Sequence, residues 1–165
     1  TRDKADIFHL LAGTGNTAIM ELILKKEILP YTSHDKFKKT PPMLAVRNNN
    51  NDCLVKLIEN GCRLDKVDSS LNTLLHYAAA YGNIEAILIL RERIPQTKNK
   101  RGLYPWEVAI FKGHLGAAQL LETDEPLDFT EDPLYFALSN IRGTPQFMDC
   151  IRYIRDKMMA DIYFE

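Results

Sequence analysis

One short pattern recurs along this chain at a nearly constant interval, and it restricts the possible folds more than any other feature. It is clearest in residues 72–84, NTLLHYAAAYGNI, and returns 31 residues on in residues 103–115, LYPWEVAIFKGHL. A copy 33 residues back begins at Lys39 (KTPPMLAV), and one 67 residues back, about two intervals, begins at Ile7 (IFHLLAGTGN). A fainter copy runs from Asp132 to Leu138, DPLYFAL. Self-similarity at a period of roughly 20–50 residues marks a stacked array, in which one unit is too small to bury its own apolar face and must lean on its neighbours.

The residues inside the pattern predict its local structure. Thr73 is a helix cap, its hydroxyl accepting from early backbone N–H groups. Pro41, Pro105 and Pro133 fall at a first helical position, where no N–H is needed. Ala45, Ala78-Ala79 and Ala109 keep that helix thin, so that neighbouring units can approach closely. Gly15, Gly82 and Gly113 suit the left-handed residue that ends it. A second apolar helix is predicted after each copy: Ala18–Lys26, Cys53–Asn60, Ile84–Arg93, Leu115–Glu122 and Gln146–Met158. Their apolar residues recur at helical spacing, as in Leu54, Val55, Leu57 and Ile58. Each helix is too short to be stable alone, so its stability must come from stacking.

Together these residues resemble the ankyrin pattern, T-P-L-H-x-A-A followed by G-H or G-N. The third copy keeps Thr73, Leu75, His76, Ala78, Ala79, Gly82 and Asn83. The fourth keeps Pro105, Ala109, Gly113 and His114 but carries Glu107 in place of the His. The second keeps Thr40, Pro41 and Ala45, with Asn49 where Gly would sit. The first keeps His9, Ala12, Gly15 and Asn16. The fifth keeps Pro133, Leu134 and Ala137, then inserts Ser139–Gln146 before a long second helix ending in Ile162-Tyr163-Phe164. The resemblance covers essentially the whole chain. It implies an all-α ankyrin-repeat solenoid of four to five helix-turn-helix repeats with short hairpin-like connecting loops. The repeats fall at about residues 1–32, 33–65, 66–96, 97–124 and 125–165, the last degenerate and capping. The chain begins at Thr1 rather than Met, which predicts a piece of a larger protein.

Composition excludes several classes of function. Among 165 residues the net charge is -1 and the pI near 6.4, so no global field recruits nucleic acid or an anionic membrane. No apolar run is long enough to span a bilayer, and the N-terminus lacks the apolar stretch of a signal peptide. Cys53, Cys62 and Cys150 are odd in number and irregular in spacing, which points away from a disulfide framework and toward the cytoplasm or nucleus. The segment from Ala12 to Thr17, AGTGNT, looks like part of a phosphate-binding loop. It lacks the Lys and the preceding strand that such a loop needs, so it is read as a turn. His9 and His76 share one repeat position in non-adjacent repeats and so cannot converge on one metal. Each is expected to bond backbone in the adjacent turn, and His114 is assigned to the turn between helices. No Cys or His pair has zinc spacing, and no nucleophile-elbow pattern occurs. The expectation is no catalytic residue, no metal and no cofactor. The run Asn48-Asn49-Asn50-Asn51 is read as an inter-helix turn, because Asn tolerates the left-handed conformation.

The family resemblance also implies where a partner docks: on a concave face made of hairpin tips and the exposed side of each first helix. The tips here are 34–39, 68–72, 99–103 and 128–131. The first-helix positions are Arg47, Asn48, Tyr77, Tyr81, Phe111, Lys112, Phe136 and Asn140. Lys36, Lys38 and Lys39 make one tip basic, as Lys98, Lys100 and Arg101 do another, while Asp124, Glu125, Asp128, Glu131 and Asp132 make the last connection acidic. Such runs are usually solvated surface charge. Beside aromatic residues, which are typical interface anchors with Arg, they suit a protein or peptide with an acidic segment. The candidate contact residues are Lys36, Phe37, Leu71, Tyr77, Tyr81, Lys100, Arg101, Leu103, Phe111 and Lys112. Trp106, which replaces the usual Leu, is assigned to the core. The function expected is a protein–protein interaction module: a scaffold, adaptor or substrate-recruiting domain, monomeric within a larger chain. The alternatives are a regulatory or targeting domain of an enzyme or channel, or a direct enzyme inhibitor.

Overall fold

The structure, a computed structural model, describes residues 7–25, 34–122 and 145–163. The repeat segments form helix pairs: α1 (Ile7–Thr14) with α2 (Thr17–Lys25), α3 (Pro41–Arg47) with α4 (Asn51–Glu59), α5 (Leu74–Tyr81) with α6 (Ile84–Leu90), and α7 (Pro105–Lys112) with α8 (Leu115–Leu121). A longer helix, α9 (Pro145–Tyr163), follows. The first helices pack in one row, α1 on α3 on α5 on α7. The second helices pack in another, α2 on α4 on α6 on α8. The core lies between the rows, where Phe8, Met20, Met43, Leu54, Leu75 and Leu90 are fully buried. No strand forms among the described residues, so the fold is the all-α solenoid that the resemblance implies.

The third residue of each first helix bonds the backbone, and in α5 it does so at both ring nitrogens. His76 Nδ1 accepts from the Thr73 backbone N–H at 3.1 Å, closing the start of α5. A backbone N–H can only donate, so Nδ1 is unprotonated and Nε2–H donates 3.0 Å to the Leu103 carbonyl of the following hairpin. His9 makes the same bond to the Lys39 carbonyl at 2.9 Å. In α3 the Met43 sulfur accepts from the Thr40 N–H at 3.4 Å, and in α7 Glu107 Oε2 accepts from the Tyr104 N–H at 2.6 Å. Three chemistries thus complete one helix start. Burial pushes the His76 pKa down and the Glu107 carboxyl up.

Each first helix ends on a left-handed residue: Gly15, Asn49, Gly82 and Gly113 have φ of 76°, 59°, 64° and 76°. The residue that follows stands at the start of the second helix, and from there Asn50 and Asn83 reach back one repeat. Asn83 Oδ1 accepts from the Ala86 N–H at 3.0 Å while its amide donates 3.0 Å to the Val46 carbonyl. The Asn50 amide donates 2.8 Å to the Ala12 carbonyl. The Asn48–Asn51 run is therefore more than a tolerant turn. Asn48 donates to Gly13, and Asn51 exchanges hydrogen bonds with Asn83 at 2.8 and 3.2 Å.

The second helices differ slightly from their predicted bounds. Asn51 and Thr17 are already helical, and α6 stops at Leu90 rather than Arg93. Pro95 disfavours helical geometry at Ile94, so the chain leaves the helix through turns. The final helix runs past Met158 to Tyr163 and packs on α7 and α8, with Cys150 and Ile154 buried. Trp106 is buried, as assigned. The fifth copy's motif and the insertion after it, through residue 144, lie outside the described residues, as does Phe164.

A Cβ at residue 82 would lie 2.7 Å from His114 Nδ1, whereas one at Gly102, also left-handed, meets nothing within 4 Å. Gly102→Ala should therefore cost about 1 kcal/mol of backbone strain, and Gly82→Ala at least about twice that, read as urea midpoints of the two variants. Equal midpoints would remove the close packing inferred at His114. Because the fold holds His76 neutral, the unfolded chain takes up the proton first as pH falls through its ordinary value of 6.5. Stability should be fully present above that value and decline below it. In His76→Gln the decline should shrink without vanishing, since burial also lowers the pKa of His114.

Candidate partner-binding face

The connections between repeats are built by one carboxylate or amide each. Asp35 Oδ1 accepts from the Phe37 and Lys39 N–H groups, both at 2.8 Å. Asp68 Oδ1 does the same for Ser70 and Asn72 at 2.8 and 2.9 Å, and Asn99 Oδ1 for Arg101 and Leu103 at 2.9 and 3.2 Å. Each loop then turns through a left-handed residue: Lys38, Leu71 or Gly102. The loops are joined to one another. The Ser69 N–H donates to the Phe37 carbonyl at 2.9 Å, and the Lys100 N–H to the Ser70 carbonyl at 2.9 Å. Phe37, Leu71 and Lys100 thus stand on three consecutive, mutually bonded hairpins.

The left-handed turn at Leu71 leaves its side chain 45% exposed. Phe37 and Tyr81 are each 49% exposed, which is high for rings of this size. Cations lie over these rings: Lys36 and Lys39 at 5.1 and 5.5 Å from the Phe37 centroid, Arg47 at 5.7 Å from Tyr81, and Arg101 at 5.7 Å from Phe111. The Arg47–Tyr81 pair crosses from α3 to α5, so it exists only because the repeats stack. Lys36, Lys100, Arg101 and Lys112 are exposed, while Leu103 and Phe111 are half-buried. A cleft of about 590 Å³ beside the hairpins is lined by His34, Lys38, Lys66, Leu71 and Lys100, with Asp65 and Asp68 also present.

One predicted contact residue does not belong to this surface. Tyr77 is buried, and its hydroxyl donates 3.0 Å to Asp68 Oδ2, beneath the hairpin. Burial and the Asp68 carboxylate both push its pKa up. Asp68 in turn accepts from Asn72, whose Oδ1 accepts from Asn99 at 2.9 Å. Tyr77 therefore supports the tip rather than meeting a partner. Arg47 lies beside the motif in sequence, but only the stacked structure puts it over Tyr81. Lys66, which lines the cleft, precedes the predicted tip, and no feature of the repeat marks it. The predicted tip at 128–131, the first-helix residues Phe136 and Asn140, and the acidic connection lie outside the described residues.

Other chemistry is sparse on this surface. The three cysteines are free and buried, and burial pushes the Cys62 and Cys150 thiols up to about 11, away from the nucleophilic thiolate. Among the described residues no group of His, Cys, Asp and Glu side chains could hold a metal, and no helix is long and apolar enough to cross a membrane. The Ala12–Thr17 segment is the end of α1, a turn and the first residue of α2.

Comparison with known proteins agrees with the geometry. The family model for ankyrin repeats (3 copies) matches residues 8–101. The chain is 34% identical over 100 residues to a putative E3 ubiquitin-protein ligase of Arabidopsis thaliana, covering 56% of this chain and 21% of that protein. It is 34% identical over 155 residues to the poly [ADP-ribose] polymerase tankyrase of Caenorhabditis elegans, covering 70% and 7%. It is 32% identical over 85 residues to inversin of Danio rerio, covering 52% and 8%. The chain thus spans about a fifth or less of the length of these curated relatives.

Tyr77→Phe removes one hydrogen bond to a buried carboxylate and no exposed area. It should cost about 1.5–3 kcal/mol of unfolding free energy while leaving partner affinity unchanged. Weakened binding by a folded Tyr77→Phe protein would return Tyr77 to the contact surface.

Proposed function

We propose that this chain, which belongs to the ankyrin-repeat family, is a protein–protein interaction module that holds an acidic segment of its partner across the face of repeats two to four. The observation that carries this reading is the pairing of cations with two exposed rings, Phe37 and Tyr81, and with the half-buried ring of Phe111. A ring stacked under a cation offers an incoming chain apolar area and positive charge at once. Exposed aromatic and Arg side chains are the usual anchors of interfaces. The net charge near zero supports a local, directional attraction over a global one. Ankyrin repeats mediate protein interactions, and the relatives are larger proteins whose names include a ligase and a polymerase. The module accordingly acts as a scaffold or recruiting segment, or as the targeting region of a larger enzyme or channel. Free, buried thiols support a reducing compartment, the cytoplasm or nucleus.

The test selects peptides from a random display library against the intact chain and measures their affinity. Selected peptides should be enriched in Asp and Glu. Tyr81→Ala and Phe111→Ala should each weaken binding about tenfold or more, and Lys100→Glu should weaken it most at low salt. Unchanged affinity in folded variants would remove this face from the function.

A further inference from the structure

The repeat register allows every position in α1 and α2 to be compared with its counterpart one, two and three repeats on. Three large aliphatic residues break the pattern of burial. Ile7 corresponds to Pro41, Leu74 and Pro105, all buried, yet it is 40% exposed. Leu10 corresponds to Leu44, Tyr77 and Val108, all buried or half-buried, yet it is 63% exposed. Ile19 corresponds to Cys53, Ala86 and Ala117, all fully buried, yet it is 43% exposed. Cys53 shows what covers this position elsewhere, since its thiol lies 3.8 Å from the Leu11 carbonyl of the preceding repeat.

A polar group points to the same missing neighbour. Asn16 is the counterpart of Asn50 and Asn83, and like Asn83 it caps its own helix, accepting from the Ile19 N–H at 3.2 Å. The amides of Asn50 and Asn83 donate to the Ala12 and Val46 carbonyls of the preceding repeats. The Asn16 amide has no partner among the described residues. Three apolar side chains and one amide donor thus stand in the register that a preceding repeat satisfies everywhere else in the stack. A face that terminated the array would carry polar residues there, because a capping repeat needs a polar outer surface.

We propose that this face is a stacking interface, and that its occupant is one more ankyrin-type helix pair, preceding α1 in the same polypeptide. That pair meets Ile7, Leu10 and Ile19 with its apolar side. The carbonyls ending its first helix accept from Asn16. The interface continues the one already formed between α1 and α3 and between α2 and α4.

The test joins a copy of residues 40–72 directly to Asp6, which places a first-helix carbonyl in register with Asn16. The melting temperature should rise by roughly 5–10 °C, and amide exchange in α1 and α2 should slow about tenfold or more. Leu10→Asp with Ile19→Asp should abolish that gain in the extended chain yet lower the melting temperature of the 165-residue chain by clearly less than the gain, the loss being that of local helix propensity and the area these side chains already cover. An added repeat that folds without slowing exchange in α1 and α2 would overturn the proposal. A fall in the melting temperature of the unextended double variant as large as the expected gain would overturn it even if the added repeat did not fold, because the face would then be covered from within the chain. Sedimentation as a dimer that the double variant converts to monomer would also overturn it, assigning the face to a second copy.

Discussion

Every repeat helix from α1 to α8 is seven to nine residues long, so none can hold its conformation alone in water. The neighbour that each one packs against is therefore the condition for its existence. Apolar burial between the two helix rows supplies the bulk of that support. Directional bonds set the register. His9 and His76 reach forward to the carbonyls of Lys39 and Leu103, and Asn50 and Asn83 reach back to those of Ala12 and Val46. All four of these bonds end on backbone. This part of the register is thereby independent of the neighbour's side chains, while Asn51 with Asn83 and Asn72 with Asn99 add side-chain pairs across the stack.

The same division explains what was legible in the sequence. Thr73, His76 and Gly82 announce their conformations, because a cap, a buried imidazole and a left-handed turn each require a narrow choice of residue. Met43 and Glu107 occupy the His position without resembling it. What that site demands is an acceptor for one N–H, which sulfur and carboxylate also supply. The asparagine run reads in sequence only as an inter-helix turn because its partners lie 32 to 38 residues away. Tyr77 was misplaced for a related reason. A tyrosine at a variable position of a first helix reads as a contact residue, and only the fold brings Asp68 beneath its hydroxyl.

The candidate face was legible as a set of positions but not as a set of pairs. Hairpin tips and first helices follow from the register, and Phe37, Leu71 and Tyr81 are exposed there. The cation over Tyr81 comes from the neighbouring repeat, and Lys66 enters the cleft from a segment with no repeat signature. Pairing of this kind depends on side-chain direction across a stack, which a linear pattern does not encode.

The central claim is that the positions the repeat leaves free are the ones that choose the partner. Its most direct measurement is a titration of a bound acidic peptide followed by amide chemical shifts along the chain. Shifts should concentrate on the hairpins at Phe37, Leu71 and Lys100 and on the ends of α5 and α7 at Tyr81 and Phe111. Shifts confined to the outer helices α2, α4, α6 and α8 would contradict the account.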